Sequence, residues 1–254
     1  MKKINIIFIS SFATNNEILH GLFDFLNDYF NVISIEIPGF SKNLAPLAKP
    51  SFKNVTSYIQ NQISNQKIDS YWLGCASMSY FICKELIKDI EINKKCKGIL
   101  AFAPYINSNF LSKEKRRKFN LIIFNTILFF RLHHSILRTK LFKKFLLKNQ
   151  YPKNIVEYMI KYMDTKTLFL LAKEVLTCKV KLEKLDKPHV VLVNEKDDFI
   201  DTNKTISEYR KKIKNILILK FQGKHCPEDA SKKYFEYLLS KKDMKKIMGF
   251  INQF

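Results

Sequence analysis

The sequence predicts an α/β protein: a mostly parallel sheet wound by helices and interrupted once by a helical insertion. Three observations predict it. Short apolar runs such as Ile4-Asn5-Ile6-Ile7-Phe8-Ile9 and Val190-Val191-Leu192-Val193 read as strands covered on both faces. Between such runs lie stretches with apolar residues at helical spacing, as at Ile18, Leu19, Leu22, Phe23, Leu26 and Phe30. The alternation stops after Gly98–Pro104 and resumes at Lys187-Pro188. Residues 1–105 and 187–254 are therefore expected to form one core domain wound by right-handed crossovers, with 106–186 a helical insertion in it.

Taken in order, Ile4 to Ile9 is the first strand. A polar loop, Ser10 to Asn16, ends in capping residues and leads into a helix from Glu17 to Phe30. Val32 to Ile37 is the second strand, stopped by Pro38-Gly39, and Val55 to Ile68 the second helix. Ser70 to Cys75 is the third strand; a corner of small residues separates it from a helix over Ser79 to Ile90, and Gly98 to Pro104 is the fourth strand. The insertion supplies helices over 118–132, 136–147, 154–163 and 166–177. Val190–Val193, a helix over 202–212, the strand Ile216–Leu219 and one last helix through the C-terminus complete the chain.

An apolar content of 46% over 254 residues supports a substantial core and excludes wholesale disorder. Forty-four basic against 23 acidic residues give a net charge of +21, which favours anionic partners. Lysine dominates that charge and Asn, Ile and Phe are abundant beside it, so a general usage bias accounts for part of it. Nucleic acid is disfavoured, because its motif signatures and stacking aromatics are missing. The five cysteines, Cys75, Cys83, Cys96, Cys178 and Cys226, show no Cys-x-x-Cys spacing and no disulfide framework, which fits a reducing cytoplasm. Met1-Lys2-Lys3 and the apolar run to Ala13 also have the form of a short secretory signal, so secretion is the alternative location. No apolar run reaches the roughly 18 residues that span a bilayer.

Loops that follow parallel strands leave the sheet at one edge, where ligands of open α/β sheets bind. Three such loops carry chemistry here. The loop after the third strand holds Ser77, the loop after Val190–Val193 holds Glu195, Asp197 and Asp198, and the loop after Ile216–Leu219 holds His225. A serine hydroxyl becomes a nucleophile when a histidine takes its proton and a carboxylate fixes the far side of the ring.

Several segments resemble those of the α/β-hydrolases. Glu36-Ile37-Pro38-Gly39-Phe40-Ser41 is similar to the family's Asp-Leu-Pro-Gly-x-Gly segment, and Pro188 to Asp197 to its acid-bearing "Pro, apolar strand, Gly-x-x-Asp" segment. Gly223-Lys224-His225 resembles the Gly-x-His segment that delivers the base, and Ser77-Met78-Ser79-Tyr80 the family's Ser-Met-Gly-Gly. A helical cap after the fourth strand here is also a family habit. The resemblance implies a serine hydrolase, a carboxylesterase cleaving an acyl ester or thioester, with Ser77 as nucleophile, His225 as base and Asp197 as its carboxylate, preferred over Asp198 and Glu195. It implies backbone N–H groups of Phe12 and Met78 as the oxyanion hole, and no cofactor.

The chain departs from the family in two places. Ser10-Ser11 stands where the family has His-Gly before the oxyanion loop. The usual Gly-x-Ser-x-Gly elbow is degenerate: anchored on Gly74 it puts Ala76 at the nucleophile position, and anchored on Ser77 it keeps small residues at both flanks. The first register gives a hydrolase-like fold without a nucleophile, a binding or scaffold protein; the second, sterically better, gives an enzyme.

Neither His20, His189 nor the pair His133-His134 has metal-helix spacing, so no metal is expected. Between Ile106 and Gln150 the insertion has eleven basic residues and one acidic, including Lys115-Arg116-Arg117-Lys118, around the apolar stretch Phe119–Leu132. Such a cap suits a small-molecule or acyl-chain substrate, an anionic membrane surface, or an acidic acyl-carrier protein; alternatively its apolar face simply packs on the core.

Overall fold

The computed structural model describes residues 3–112, 114–136, 138–148, 152–223, 225 and 229–254; of residues 114–119, 134, 145 and 148 it describes the backbone. Strands β1 (Asn5–Ile9), β2 (Asn31–Ile35), β3 (Tyr71–Ala76), β4 (Cys96–Phe102), β5 (His189–Asn194) and β6 (Ile216–Phe221) form one sheet in the order β2-β1-β3-β4-β5-β6. Every neighbouring pair is parallel. Successive side chains of a strand point to opposite faces, and each face has its own core. Ile7, Ile9, Leu73, Cys75, Val191 and Val193 belong to one. Ile6, Phe8, Trp72, Val190 and Leu192 belong to the other. This double burial is why the strands read as unbroken apolar runs.

Helices α2 (Phe52–Ser64), α3 (Ser79–Leu86), α4 (Ile90–Lys95) and α10 (Thr202–Lys212) cover the first face. Helices α1 (His20–Asn27), α11 (Lys232–Leu238) and α12 (Lys241–Ile251) cover the second. Between β4 and β5 come α5 (Glu114–Phe129), α6 (His133–Ile136), α7 (Lys140–Lys148), α8 (Lys153–Tyr162) and α9 (Thr165–Thr177). Among the described residues of this inserted segment, Ile127, Leu146, Val156, Met159 and Phe169 join the first cluster. Phe169 is its hub, with Phe124 at 5.3 Å and Phe142 at 5.9 Å between ring centroids. Burying each such side chain contributes about 1.5–3 kcal/mol.

Several helices differ from the expected spans: 55–68 is Phe52–Ser64, 118–132 is Glu114–Phe129, and 136–147 starts only at Lys140, where Thr139 Oγ1 accepts from the Phe142 N–H at 3.1 Å. Three more differ through a polar side chain. The first helix begins only at His20, because Asn15 donates to the Phe40 carbonyl (2.8 Å) and accepts from the Ile18 N–H (3.0 Å), holding residues 15–18 in a turn. The span 79–90 breaks after Leu86, where Asp89 accepts from the Ile92 N–H at 3.0 Å and caps a new helix. The C-terminal helix is two helices, since Ser240 and Asp243 form a capping box that starts α12. Among the described residues no helix is long and apolar enough to cross a membrane.

Candidate active site

β3 ends at Ala76, paired with Phe102, and the chain turns sharply at Ser77, whose φ is +46°. Such a backbone is disfavoured for any residue with a Cβ, and it persists where surrounding contacts over-determine it. Here the Ser77 N–H donates to the Phe102 carbonyl at 2.8 Å, and the Ser77 carbonyl accepts from Tyr80 at 3.1 Å and Tyr105 at 3.0 Å. Ser79, fully buried, accepts from the Ala76 N–H at 3.0 Å, and its hydroxyl reaches the Ile9 carbonyl at 3.0 Å. A larger side chain at 79 would push α3 away from β1, which is the steric reason for a small residue there.

The choice between registers follows from packing. Gly74 lies inside β3, where a Cβ would meet Phe8 Cδ2 at 2.5 Å and Ile6 Cγ2 at 2.8 Å. It is a sheet-packing glycine and no part of the turn. Ala76 is a strand residue, and Ser77 occupies the strained corner.

From that corner Ser77 Oγ stands 2.9 Å from His225 Nε2, across 148 residues of sequence. His225 Nδ1 donates to Asp197 Oδ2 at 2.8 Å. Nε2 is thereby left as the acceptor for the serine proton, the tautomer that general-base work needs. The other Asp197 oxygen, Oδ1, accepts from the Phe199 N–H (2.8 Å) and the Ile200 N–H (2.7 Å). The Asp197 side chain is 2% exposed. That burial works to raise its pKa, but the His225 imidazole and the two N–H groups outweigh it and hold the carboxyl below its usual value. The Phe199 ring packs on the imidazole, centroids 5.0 Å apart. Asp198 and Glu195 are both exposed; Asp198 lines the cavity at Ser77, where both ring nitrogens of His225 are already engaged, and Glu195 accepts from Gln222 Nε2 at 2.5 Å.

The loop after β1 is shaped by hydroxyls. The Ser11 N–H donates to Thr14 Oγ1 at 2.7 Å, Ser10 Oγ accepts from the Ile37 N–H at 3.1 Å, and Ala13 has φ +54°. Ser10 and Ser11 therefore build a tight loop without the His-Gly pair that their positions resemble. Phe12 and Met78 both line the cavity at Ser77. Among the described residues no acceptor takes either N–H, and Met78 stands at the N-terminal end of α3, where the helix dipole favours negative charge.

The cavity has a volume of about 320 Å³ and is mostly apolar. One part of its wall comes from the insertion, with Phe124, Phe142, Met159 and Phe169. Another comes from α1 and α11, with Leu22, Phe235 and Leu238. Ser77 and His225 line the same cavity. A wider polar hollow of about 640 Å³ borders Asn109, Ser112 and Asp201 and reaches Asp197, but touches neither Ser77 nor His225. Among the described residues no group of three His, Cys, Asp or Glu could hold a metal ion. Lys224, Cys226, Pro227 and Glu228, which flank the histidine in its motif, lie outside the described residues, as do Met1, Lys2 and Gln150; so do the side chains of Lys115, Arg116, Arg117 and Lys118.

Sequence reasoning missed Phe199, which seats the imidazole, and Thr14, which shapes the loop. A signal for the first was present: an Asp caps the N–H groups two and three residues on, so Asp197 fixes Phe199 locally. Thr14 left no comparable signal.

No family model matches the chain, and no curated protein matches it in sequence. Solved structures are. A hydrolase from Oleispira antarctica superposes with a TM-score of 0.73 at 10% identity, covering 99% of this chain and 92% of that one. A haloalkane dehalogenase from Bradyrhizobium elkani gives 0.71 at 14% identity, with 99% and 90% covered. An epoxide hydrolase from Bacillus megaterium gives 0.66 at 14%, with 99% and 94% covered. Identities this low carry architecture alone. The six-stranded parallel sheet, its flanking helices and these superpositions together make this chain a protein of the α/β-hydrolase fold.

Proposed function

We propose that the protein is a serine hydrolase cleaving an acyl ester or thioester, with Ser77 as nucleophile. The observation that carries this reading is the relay of contacts from Ser77 Oγ to His225 Nε2 (2.9 Å) and from His225 Nδ1 to Asp197 Oδ2 (2.8 Å), set on a positive-φ turn. Ser77 Oγ attacks the acyl carbon as its proton passes to His225 Nε2. The carbonyl π electrons move to oxygen, and the N–H groups of Phe12 and Met78 stabilise that oxyanion. Collapse of the tetrahedral intermediate breaks the bond to the alcohol or thiol, which leaves with the proton from His225. Water, deprotonated by His225, then attacks the acyl-enzyme; the carboxylic acid leaves and Ser77 recovers its proton.

The apolar cavity supports an acyl chain as the substrate's recognised part, with the insertion acting as a cap over it. Cys75, Cys83, Cys96 and Cys178 are free thiols, which suits the cytoplasm. A fluorophosphonate probe tests the reading: it should label the wild-type protein and leave Ser77→Ala unlabelled. Folded wild-type protein that does not react would instead be a binding or scaffold protein that keeps the architecture without the chemistry.

A further inference from the structure

Exposed large apolar side chains are not scattered over this molecule. Of eleven among the described residues, six lie between positions 122 and 147: Ile122, Phe129, Phe130, Leu132, Leu141 and Leu147. Phe129 is 80% exposed, Leu141 78% and Phe130 62%. Isolated exposed apolar residues are ordinary, whereas a concentration of them marks an interaction surface.

Helix α5 explains how that surface relates to the site. Its inner side places Phe124 in the cavity wall and buries Ile127, while Ile122 and Phe129, two turns apart on one face, lie open. The helix is stopped by a left-handed residue, Arg131 (φ +56°), with its N–H on the Leu128 carbonyl (3.2 Å) and the Leu132 N–H on the Ile127 carbonyl (2.9 Å). A corner closed in this way holds Phe129 and Phe130, ring centroids 5.1 Å apart, beside Arg131 and Leu132, with no covering element among the described residues. Beside it Arg131, Arg138, Lys140 and Lys144 are exposed, and the sequence over residues 106–150 carries eleven basic residues and one acidic.

We infer that this α5–α7 surface docks on an anionic lipid bilayer. Ile122, Phe129, Phe130, Leu132 and Leu141 enter the boundary between headgroups and acyl chains, and the interleaved basic side chains pair with lipid phosphates. The apolar groups themselves stand open, Phe129 at 80% and Leu141 at 78%, as insertion into a soft apolar phase requires; an acidic protein partner would pair with the basic groups and leave these apolar ones in water. Since α5 is also a wall of the cavity, docking sets the Ser77 site one helix away from the lipid. That consequence rests on the ester-hydrolase reading; the docking itself does not.

The test is flotation of the full chain with vesicles of phosphatidylcholine alone or mixed with phosphatidylglycerol. Binding to the anionic vesicles should be at least about tenfold tighter and weaken in high salt. The double variant Phe129→Ser with Phe130→Ser should lose about tenfold or more, and Leu141→Ser, a milder change, about threefold. Substituting Arg131, Arg138 and Lys140 by Ser should also cost about tenfold. Substituting Lys241, Lys242, Lys245 and Lys246 on α12, exposed but remote in the fold, should change binding less than about twofold. All variants should keep their melting behaviour and their activity on a water-soluble short-chain ester. Repeating the flotation in Ser77→Ala separates docking from chemistry, since docking must survive loss of the nucleophile. Equal binding to neutral and anionic vesicles, indifference to the Phe129 and Phe130 changes, or an equal loss from the α12 set would each overturn the inference. So would capture of an acidic acyl-carrier protein by the same residues without vesicle binding.

Discussion

Replacing Asp197 by asparagine separates the two jobs of this carboxylate. Oδ1 accepts from the backbone N–H groups of Phe199 and Ile200 at 2.8 and 2.7 Å, and only an oxygen can do so. In Asp197→Asn the amide oxygen must keep that place, so the NH₂ group faces His225 Nδ1, where Oδ2 stood at 2.8 Å. A donor facing Nδ1 forces the ring proton to the opposite nitrogen. Nε2 then carries hydrogen towards Ser77 Oγ, 2.9 Å away, and can no longer accept the serine proton. Loss of the working tautomer in a triad of this kind costs on the order of 10³–10⁴ in turnover, or roughly 4–5.5 kcal/mol of barrier. Because the turn at residues 197–200 keeps its acceptor, the melting temperature should move by only about 2–4 °C, equivalent to about 1 kcal/mol. The assay is kcat on a chromogenic short-chain ester, with Asp198→Asn as the exposed control. An Asp197→Asn enzyme within tenfold of wild type, or a control equally impaired, would refute the assignment.

Two further outcomes are expected. His189 is fully buried, and that burial lowers its pKa from 6.5 to about 4, against the hydrogen bond from Nδ1 to the Lys187 carbonyl (2.8 Å). Between those values the unfolded chain binds a proton that the folded chain does not, so stability falls as pH drops from 6.5 to about 4 and this contribution is flat below. The total is about 3 kcal/mol; urea melts of wild type and His189→Gln should diverge across that window, and parallel curves would contradict the argument. At Ser77 the positive φ stores strain that Ala shares and Gly relieves. Both Ser77→Ala and Ser77→Gly should be inactive, yet Gly should be the more stable by about 0.5–1 kcal/mol in thermal melts; a Gly variant no more stable than Ala would mean the turn is unstrained.

Much of the molecule was legible along the chain, and the reasons are local. Strands buried on both sides must be apolar throughout, so Ile6–Ile9 and Val190–Val193 could be read directly. Helices with one covered side must be periodic, which made α2, α9 and α10 legible. Where the reading ran long, at residues 17–19, 87–89 and 239–240, a side chain competed with the helix for backbone groups. The Ser240–Asp243 capping box was itself in the sequence and passed unread, because the apolar periodicity runs across it.

The site divides in the same way. Local sequence supplied the residue types at the ends of the third, fifth and sixth strands, since a parallel crossover fold sends every such loop to one edge. It favoured Ser77 over Ala76 on the size of the flanking residues alone, because Gly74 also looks like an elbow glycine until Phe8 and Ile6 of a neighbouring strand are seen against it. Its preference for Asp197 over Glu195 and Asp198 came from the family resemblance, since the three differ physically in which way a loop turns. Those choices, and the meeting of residues 77, 197 and 225, belong to the pairing order β3-β4-β5-β6 and to packing between segments far apart in the chain. Propensity and periodicity act over a few neighbouring residues, so sequence alone determined the elements; angles and distances between elements come from burying all their faces at once, and only the tertiary structure decided them.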